Sequence, residues 1–214
     1  MKTRNYFLFL IMCFVIMNIK SQEVALTSSY ENGAIKIVNR NASVEKADEN
    51  FLFLDAKEDD GLAILKDVQF EKGSVELYIK GENNPGESFL GLAFNIQNDS
   101  TYEAVYFRPF NFVGEKQIQR DHMVQYIYHP KFPWFRLREE HINEFENEIE
   151  TPPNPNEWFH VSLEISENEV KVFVNWSEEP QLTATRLTKT VSDKIGLWVG
   201  NGSKGSFKTL NIQK

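Results

Sequence analysis

Short segments in which apolar and polar residues alternate recur along almost the whole chain. The clearest is residues 73–80 (GSVELYIK), where Val75, Leu77 and Ile79 are separated by more polar side chains. A period of two residues places one set of side chains on each face of a strand, so this segment is predicted to be a half-buried β-strand. Residues 88–96 (SFLGLAFNI) are almost continuously apolar, which predicts a central strand that is covered on both faces.

Turn signals separate these segments into about a dozen short strands at spacings of roughly 8–12 residues. Two hairpins are predicted: residues 23–27 with 34–38 around Asn32-Gly33, and residues 158–166 with 170–175 around residues 167–169. Asn-Gly is a strong hairpin signal because both central residues of its turn need positive φ. Residues 138–147 are the one helix candidate. The pattern predicts a single all-β domain, an antiparallel sandwich, over residues 22–214.

The first 21 residues have the layout of a secretory signal peptide. Lys2 and Arg4 form a basic start, residues 6–17 form an apolar run, and Ser21 offers a small residue for cleavage. The run is shorter than the roughly 20 residues that span a bilayer. We therefore expect export to the extracellular space or periplasm as a soluble domain without a transmembrane segment. Cys13 is the only cysteine, so removal of the leader would also remove all disulfide and thiolate chemistry.

The charge balance restricts the class of partner. The chain has a formal net charge of −8, and the leader carries three basic and no acidic residues, so the remainder carries −11. An acidic surface disfavours nucleic acid, whose binding depends on Lys and Arg contacts to phosphate. Neutral glycans remain compatible, because aromatic rings and amides bind them without net charge.

Residues 194–200 (KIGLWVG) and 205–212 (GSFKTLNI) resemble the closing strand pair of concanavalin A-like lectin/glucanase jelly rolls. The segment EWFHV at residues 157–161 is similar to the same group. In particular the chain resembles the secreted domains that are often labelled 3-keto-disaccharide hydrolase or laminin G-like. This resemblance implies two curved antiparallel sheets, with a concave face that typically receives carbohydrate.

The resemblance does not supply a catalytic set. Glucanases of this fold carry Glu-x-Asp-x-(x)-Glu on one strand, and this chain has no such spacing. The segment 102–108 offers only Glu103, and residues 144–150 have alternating acids without an Asp at the middle position. A retaining mechanism with two carboxylates is therefore disfavoured.

The chemistry-bearing residues concentrate in residues 102–138, which combine aromatic rings, arginines, histidines and amides. Strand parity places Tyr106 and Arg108 on one face of residues 102–108, and Val105 and Phe107 on the other, which we expect to face the core. An outward Arg108 among tyrosines could donate hydrogen bonds to sugar hydroxyls or to the carboxylate of an acidic sugar. It could equally pair with Glu103 and brace the sheet.

The next predicted strand, residues 122–128, carries His122 and Gln125 on opposite faces, and parity alone does not say which face is concave. His122 could act as an acid or base near neutral pH, or could be a structural residue. His129 is predicted to be a turn residue only. Trp134, in a loop rich in aromatic rings, could stack on a sugar or close one end of the sandwich. Arg138 could bind ligand or pair with one of the nearby acids.

Metal binding has weak support in the sequence. Residues 55–61 (DAKEDDG) form an acidic turn, but Lys57 occupies a position where a calcium loop needs an oxygen ligand. A solvated turn is therefore favoured over calcium. A zinc site is not predicted, because the sequence has no His or Cys residues clustered at the spacing of zinc ligands. No cofactor is predicted.

Three hypotheses follow. The first is a secreted glycan-binding module, and its predicted contact residues are Tyr106, Arg108, Asn111, Gln125 and Trp134. The second is a glycoside hydrolase or lyase on the same surface, in which His122 or Glu146 serves as acid or base and Arg108 or Arg138 stabilises charge. The third is a structural, laminin G-like interaction domain.

Overall fold

The computed structural model describes residues 21–46 and 49–214. These residues form fifteen strands, three α-helices and one 3-10 helix. The strands in chain order are β1 (Ser21–Val24), β2 (Ile35–Val38), β3 (Ala42–Glu45), β4 (Phe51–Leu54), β5 (Gly61–Leu65), β6 (Gly73–Lys80), β7 (Leu90–Asn98), β8 (Thr101–Phe107), β9 (Val124–His129), β10 (Glu146–Asn147), β11 (Phe159–Ile165), β12 (Glu169–Val174), β13 (Leu182–Thr185), β14 (Gly196–Val199) and β15 (Gly205–Gln213). The helices are α1 (Leu26–Glu31), α2 (Gln117–Arg120) and α3 (Trp134–Glu140), and the 3-10 helix is Pro109–Asn111.

Two antiparallel sheets contain all fifteen strands of the described residues. The seven-stranded sheet has the order β10-β9-β8-β7-β14-β5-β2 and is called the front sheet below. The back sheet has the order β13-β12-β11-β6-β15-β4-β3, and β1 also pairs with β15. The predicted all-β antiparallel sandwich is therefore confirmed. Of the helices in the described residues, none is long and apolar enough to cross a membrane.

The core lies between the two sheets, where the inward residues of each strand meet. Val75, Leu77 and Ile79 of β6 are at most 1% exposed, as the alternation predicted. Phe107 of the front sheet meets Phe159 of the back sheet edge to face, with ring centroids 5.5 Å apart. Because Phe107 points into the core, Tyr106 must point to the outer face of the front sheet.

The prediction of a hairpin around Asn32-Gly33 is wrong. β1 pairs with β15 in the back sheet, whereas β2 pairs with β5 in the front sheet, and α1 connects them. Asn32 ends α1, and Gly33 follows with φ of +78°. A helix C-terminus and a hairpin turn both need a residue with positive φ, so the same dipeptide serves either role.

The helix predicted at residues 138–147 is also misplaced. α3 begins four residues earlier, at Trp134, so Trp134 lies in the first turn of a helix rather than in a loop. Leu137, which is 1% exposed, anchors this helix, whereas Ile142 of the predicted segment is 72% exposed. Pro133 precedes the first turn, where its missing N–H is not needed.

The two strands of the predicted closing pair do not pair with each other. β14 lies between β7 and β5 of the front sheet, whereas β15 lies between β6 and β4 of the back sheet. The short connection between them therefore passes from the front sheet to the back sheet. The hairpin of β11 and β12, in contrast, forms as predicted, with Val161 opposite Val174 and Ile165 opposite Val170.

Candidate functional site

A row of aligned residues crosses the outer face of the front sheet. Strand register places Glu146 of β10, Gln125 of β9, Tyr106 of β8, Gly91 of β7 and Trp198 of β14 side by side. Gly91 puts no side chain between its neighbours, so the rings of Tyr106 and Trp198 approach to 4.8 Å between centroids. A Cβ at Gly91 would lie 2.1 Å from the carbonyl oxygen of Val105. Glycine is therefore required where β7 and β8 come close.

A cavity of about 550 Å³ opens above this row and is called the front cavity below. Its volume is typical of small-molecule sites. It is lined by Asp60, Gly86, Phe89, Tyr106, Arg108, Phe110, Asn111, His122, Ile127, His129, Pro133, Trp134, Phe135, Arg138, Trp198, Gly200 and Asn201.

Arg108 forms the polar floor of the front cavity. It is on the predicted face but only 5% exposed, so the expectation of a freely exposed arginine is wrong. Its Nη1 donates to the carbonyl oxygen of His122 at 2.9 Å, and its Nη2 donates to the Tyr106 hydroxyl at 2.7 Å and to Gln125 Oε1. The Tyr106 hydroxyl in turn donates to Gln125 Oε1 at 3.1 Å. These bonds hold the guanidinium plane in a fixed orientation.

Glu103 is not the partner of Arg108, because it points to the opposite face of β8. The nearest carboxylate to Arg108 is that of Glu146, whose Oε2 lies 3.7 Å from Nη1. Asn111 also contributes, since its Nδ2 donates to the carbonyl oxygen of His122 at 3.0 Å. Arg108 and Asn111 thus fix the same backbone carbonyl from two directions.

Glu146 is 4% exposed and does not line the cavity. Arg138 reaches it from α3 in a fork, with Nε 2.9 Å from Oε1 and Nη2 2.8 Å from Oε2. His122 Nδ1 lies 2.8 Å from Oε2, but the direction of approach is not that of a hydrogen bond. Glu146, which lies beneath the cavity wall, therefore neutralises and positions Arg138, which lines the cavity.

Aromatic rings form the rim of the cavity at α3. Trp134 is 47% exposed and Phe135 is 58% exposed, and their rings meet edge to face. The Arg138 guanidinium carbon lies 4.9 Å from the centroid of the Trp134 ring. Such cation–π contact holds one face of an indole and leaves the rest of the ring available.

The opposite wall is built from residues that the sequence did not single out as a site. The Tyr102 hydroxyl donates to Asp60 Oδ2 at 2.7 Å and accepts from Trp198 Nε1 at 3.1 Å. His129, predicted as a turn residue only, ends β9 and stacks on Tyr102 with centroids 5.2 Å apart. Asp60 is the one carboxylate on the cavity wall among the described residues.

Burial changes the protonation behaviour of three residues at the cavity. Burial raises the pKa of Tyr106 to about 12, against the opposing effect of Arg108. Burial also lowers the pKa of Arg108. The pKa of His122 is lowered from 6.5 by burial, although Glu146 acts in the opposite direction. His122 and Tyr106 are therefore neutral at pH 7.

The structure brings the predicted site residues together. Tyr106, Arg108, Asn111, His122, Trp134 and Arg138 all line the cavity, whereas Gln125 and Glu146 lie beneath it. Sequence reasoning missed contributions from Asp60, Phe89, Phe110, His129, Trp198 and Asn201. Trp198 lies within an apolar strand, so its pattern was that of a core residue, and only the pairing of β14 with β7 brings it to the cavity.

The acidic turn at residues 55–61 is held by side chains that donate hydrogen bonds to its backbone carbonyl oxygens. Arg40 donates to the carbonyl oxygens of Asp59 at 2.6 Å and Gly200 at 2.8 Å, and Asn39 donates to those of Glu58 and Asp60. Within residues 21–46 and 49–214, no cluster of three or more His, Cys, Asp or Glu side chains is placed to hold a metal ion.

Solved structures with the same architecture identify the fold. The carbohydrate-binding module CBM66 from Bacillus subtilis aligns with a TM-score of 0.57 at 13% identity, over 84% of this chain and 95% of that module. A Bacillus licheniformis β-glucanase aligns with a TM-score of 0.59 at 13% identity, over 92% of this chain and 100% of the glucanase. A Bacillus subtilis protein of unknown function with a galectin-like fold gives 0.59 at 11% identity, over 91% and 98%. This chain has a concanavalin A-like jelly-roll fold.

No protein-family model and no curated protein matches this chain. At these identities the likeness shows the fold alone, because one jelly-roll fold hosts many functions. The function of this concanavalin A-like domain must therefore be argued from the front cavity.

Proposed function

We propose that this domain binds a glycan in the front cavity. The observation that carries the proposal is the combination of exposed aromatic rings and immobilised hydrogen-bonding groups in one cavity of suitable size. Trp134 and Phe135 offer ring faces to the apolar side of a sugar. Arg108 and Asn111 lie in the same cavity, and their side chains are already oriented by hydrogen bonds to the His122 carbonyl oxygen. Preorganised groups bind at a smaller entropic cost.

The names of the structural neighbours are consistent with this proposal. One is a carbohydrate-binding module and another is a β-glucanase. Binding is favoured over hydrolysis because Asp60 is the single carboxylate that the described residues place on the wall, whereas glycoside hydrolysis ordinarily uses two facing carboxylates. Glu146 is held in a fork by Arg138 below the wall and is not free to protonate a glycosidic oxygen.

Replacement of Trp134 tests the proposal. We expect Trp134→Ala to weaken binding of any glycan identified on a glycan array by about two- to tenfold, because an aromatic contact contributes about 0.5–1.5 kcal/mol. Isothermal titration calorimetry on the domain of residues 22–214 measures the change. Half of the Trp134 side chain is in solvent, so its thermal stability should change little.

Lys36→Ala is a matched control, because Lys36 forms an exposed ion pair with Asp99 and does not line the cavity. Its glycan affinity should equal that of the unmodified domain. A domain that binds no glycan on the array would contradict the proposal and favour the laminin G-like interaction domain. Equal affinities of the Trp134→Ala and Lys36→Ala variants would place the glycan elsewhere.

A second candidate function is cleavage of an acidic glycan by a lyase. The observation that favours it is the juxtaposition of Arg108, Arg138, His122 and Glu146. Neutral His122 would take the proton from the carbon beside a uronate carboxylate, and the arginines would stabilise the charge that develops there. The carbon–oxygen bond to the leaving sugar then breaks as a carbon–carbon double bond forms, and the leaving oxygen takes up a proton from water. Ultraviolet absorbance of the unsaturated product from polyuronates, lost in His122→Ala, would support it. An unchanged rate in His122→Ala would exclude this role.

We further propose that residues 1–21 act as a signal peptide and that the domain is exported. This leader lies outside the described residues apart from Ser21. Its basic start and apolar run support the proposal. N-terminal sequencing of the mature protein should begin near Gln22, and a protein that retains Met1 would contradict it.

A further inference from the structure

The outer face of the back sheet, on the side of the molecule opposite the front cavity, carries a second group of aromatic residues. Strand register aligns Lys208 of β15, Tyr78 of β6 and His160 of β11. Their sequence neighbours Phe207, Leu77 and Val161 point into the core, so these three side chains point outward. The group is called the back strip below and consists of Phe51, Trp158, Lys208, Tyr78, His160 and Trp176.

Contacts between successive members make the back strip continuous. Phe51 and Trp158 meet with centroids 5.4 Å apart, and Lys208 Nζ lies 4.4 Å from the Trp158 ring and 5.7 Å from the Tyr78 ring. Tyr78 meets His160 at 5.3 Å and Trp176 at 6.0 Å. The strip therefore runs across several strands, with an indole near each end.

Trp176 is the most exposed aromatic residue of the strip. Its indole stacks flat on His160, with centroids 4.4 Å apart and an interplanar angle of 5°. The side chain of Trp176 nevertheless remains 67% exposed, whereas His160 is 5% exposed. One face of the indole is thus supported by the imidazole, and most of the remaining surface faces solvent.

The backbone holds Trp176 in this position at a cost. Asn175 and Trp176 have φ of +48° and +57°, and Ser177 N donates to the Val174 carbonyl oxygen at 3.0 Å, as in a type I′ turn. Such turns favour Asn-Gly, because glycine has no Cβ to clash at positive φ. A bulky side chain there is an outlier. A large aromatic residue in strained backbone, exposed to solvent, points to a ligand rather than to stability.

The charges of the strip are already paired within the protein. Lys208 Nζ lies 2.7 Å from Glu49 Oε2. His160 Nε2 lies 3.7 Å from Glu76 Oε2, and burial lowers the pKa of His160 below 6.5, so it is neutral at pH 7. Neither Lys208 nor His160, the two basic members of the strip, therefore offers an unpaired positive charge to an acidic ligand. Flat rings without free charge fit the apolar faces of neutral sugars.

We propose that the back strip is a second binding site, in which a neutral oligosaccharide stacks on Trp176 and Trp158. This site goes beyond the front cavity and lies on the other sheet. It binds through ring faces, whereas the front cavity combines rings with fixed donors. Occupation of both sites by one polysaccharide would raise the apparent affinity for long chains.

The four tryptophans of the chain allow both sites to be observed in one experiment. A domain labelled with ¹⁵N-tryptophan has one indole N–H resonance from each, and Trp134 and Trp198 report on the front cavity while Trp158 and Trp176 report on the strip. Cellohexaose, laminarihexaose and mannohexaose serve as probes. We expect at least one of them to shift the Trp158 and Trp176 resonances.

Trp176→Gly is the decisive variant because glycine suits the turn and should preserve the fold, which thermal unfolding checks. The affinity measured from the sugar-induced shift of Trp158 should fall about tenfold, and the responses of Trp134 and Trp198 should not change. Trp134→Ala should instead weaken the response of Trp198 and leave the responses of Trp158 and Trp176 unchanged. Trp158→Phe, which retains a ring, should lower affinity less than Trp176→Gly.

Each other outcome overturns the inference. Shifts confined to Trp134 and Trp198 would exclude the strip and leave the front-cavity proposal intact. An absence of shifts from all three probes would contradict the back strip as a site for neutral sugars. Resonances of Trp176 that depend on protein concentration without sugar would identify the strip as a contact between copies of the chain.

Discussion

At the scale of single residues, burial decides what each polar group can do. Arg108 is nearly inaccessible, yet its Nη atoms are aimed at Tyr106, Gln125 and the His122 carbonyl oxygen. Its role at the cavity is to fix neighbouring groups and supply a positive field rather than to reach into solvent. His122 lines the cavity in its neutral form because desolvation outweighs the attraction of Glu146.

Partly buried His122 and buried His160 should make stability depend on pH. The pKa values of His122 and His160 are both lowered from 6.5 in the folded state, mainly by burial. The unfolded chain therefore binds more protons just below pH 6.5, so the free energy of unfolding should fall as the pH is lowered through this window. Above pH 6.5 both states are neutral and this contribution should level off.

Urea denaturation between about pH 5 and about pH 8 measures this dependence. His122→Asn and His160→Asn should each flatten part of the slope, and the double variant should flatten more of it. A slope that is unchanged in both single variants would assign the dependence to carboxylates instead.

At the scale of secondary-structure elements, one buried ion pair links the two sheets. Glu103 of β8 is fully buried on the inner face of the front sheet, and Arg186 follows β13 at the edge of the back sheet. Arg186 Nε and Nη2 lie 3.0 and 2.6 Å from the two carboxylate oxygens, and Asn95 Nδ2 donates to Oε2 at 2.6 Å. Tyr126 completes the shell of hydrogen bonds around Glu103.

Arg186→Met should destabilise the domain by about 3–5 kcal/mol, because it leaves the Glu103 carboxylate buried without its partner. Guanidinium denaturation measures the loss. The double variant Glu103→Leu, Arg186→Met should recover much of it, since apolar residues of similar size often replace a buried pair at little net cost.

Lys36→Met provides the comparison for an exposed pair. Lys36 and Asp99 are each 51% exposed in their side chains, so this substitution should cost about 0–1 kcal/mol. If Arg186→Met costs no more than Lys36→Met, the inter-sheet pair does not contribute as argued.

At the scale of the whole molecule, the sandwich presents two different outer faces to solvent. The front sheet carries a deep cavity with fixed polar groups, and the back sheet carries a shallow aromatic strip. The residues after the first 21 carry a formal net charge of −11, so both faces lie in a negative field. This field disfavours polyanionic ligands at long range and has no effect on uncharged ones.

Salt therefore distinguishes the classes of ligand. Affinity for a neutral glycan should change less than about twofold between low and high ionic strength, whereas an acidic glycan held by Arg108 and Arg138 should bind with a clear salt dependence. Calorimetry in buffers of about 0.05 M and about 0.5 M NaCl tests this. A strong salt dependence for a neutral sugar would contradict the assignment of ring stacking as its main contact.

Local patterns were sufficient to predict the class of fold and the direction of several side chains that line the front cavity. The alternation in residues 73–80 predicted β6 at its observed bounds, and parity correctly placed Tyr106 and Arg108 opposite Phe107. These predictions succeeded because side-chain direction along a strand depends only on a period of two. That rule does not apply to residues 134–140, which form a helix, and the helical period turns Arg138 toward Glu146.

Only the tertiary structure decided which strands are neighbours, and with them the composition of the cavity. Trp198 and Asp60 are remote in sequence from residues 102–138, and they reach the cavity through the pairing of β14 with β7 and the contact of Asp60 with Tyr102. The burial of Arg108 in the floor of the cavity, beside Glu146, likewise depends on the pairing of β10 with β9. Long-range pairing of strands depends on the burial of many side chains at once, so no local segment of the sequence encodes it.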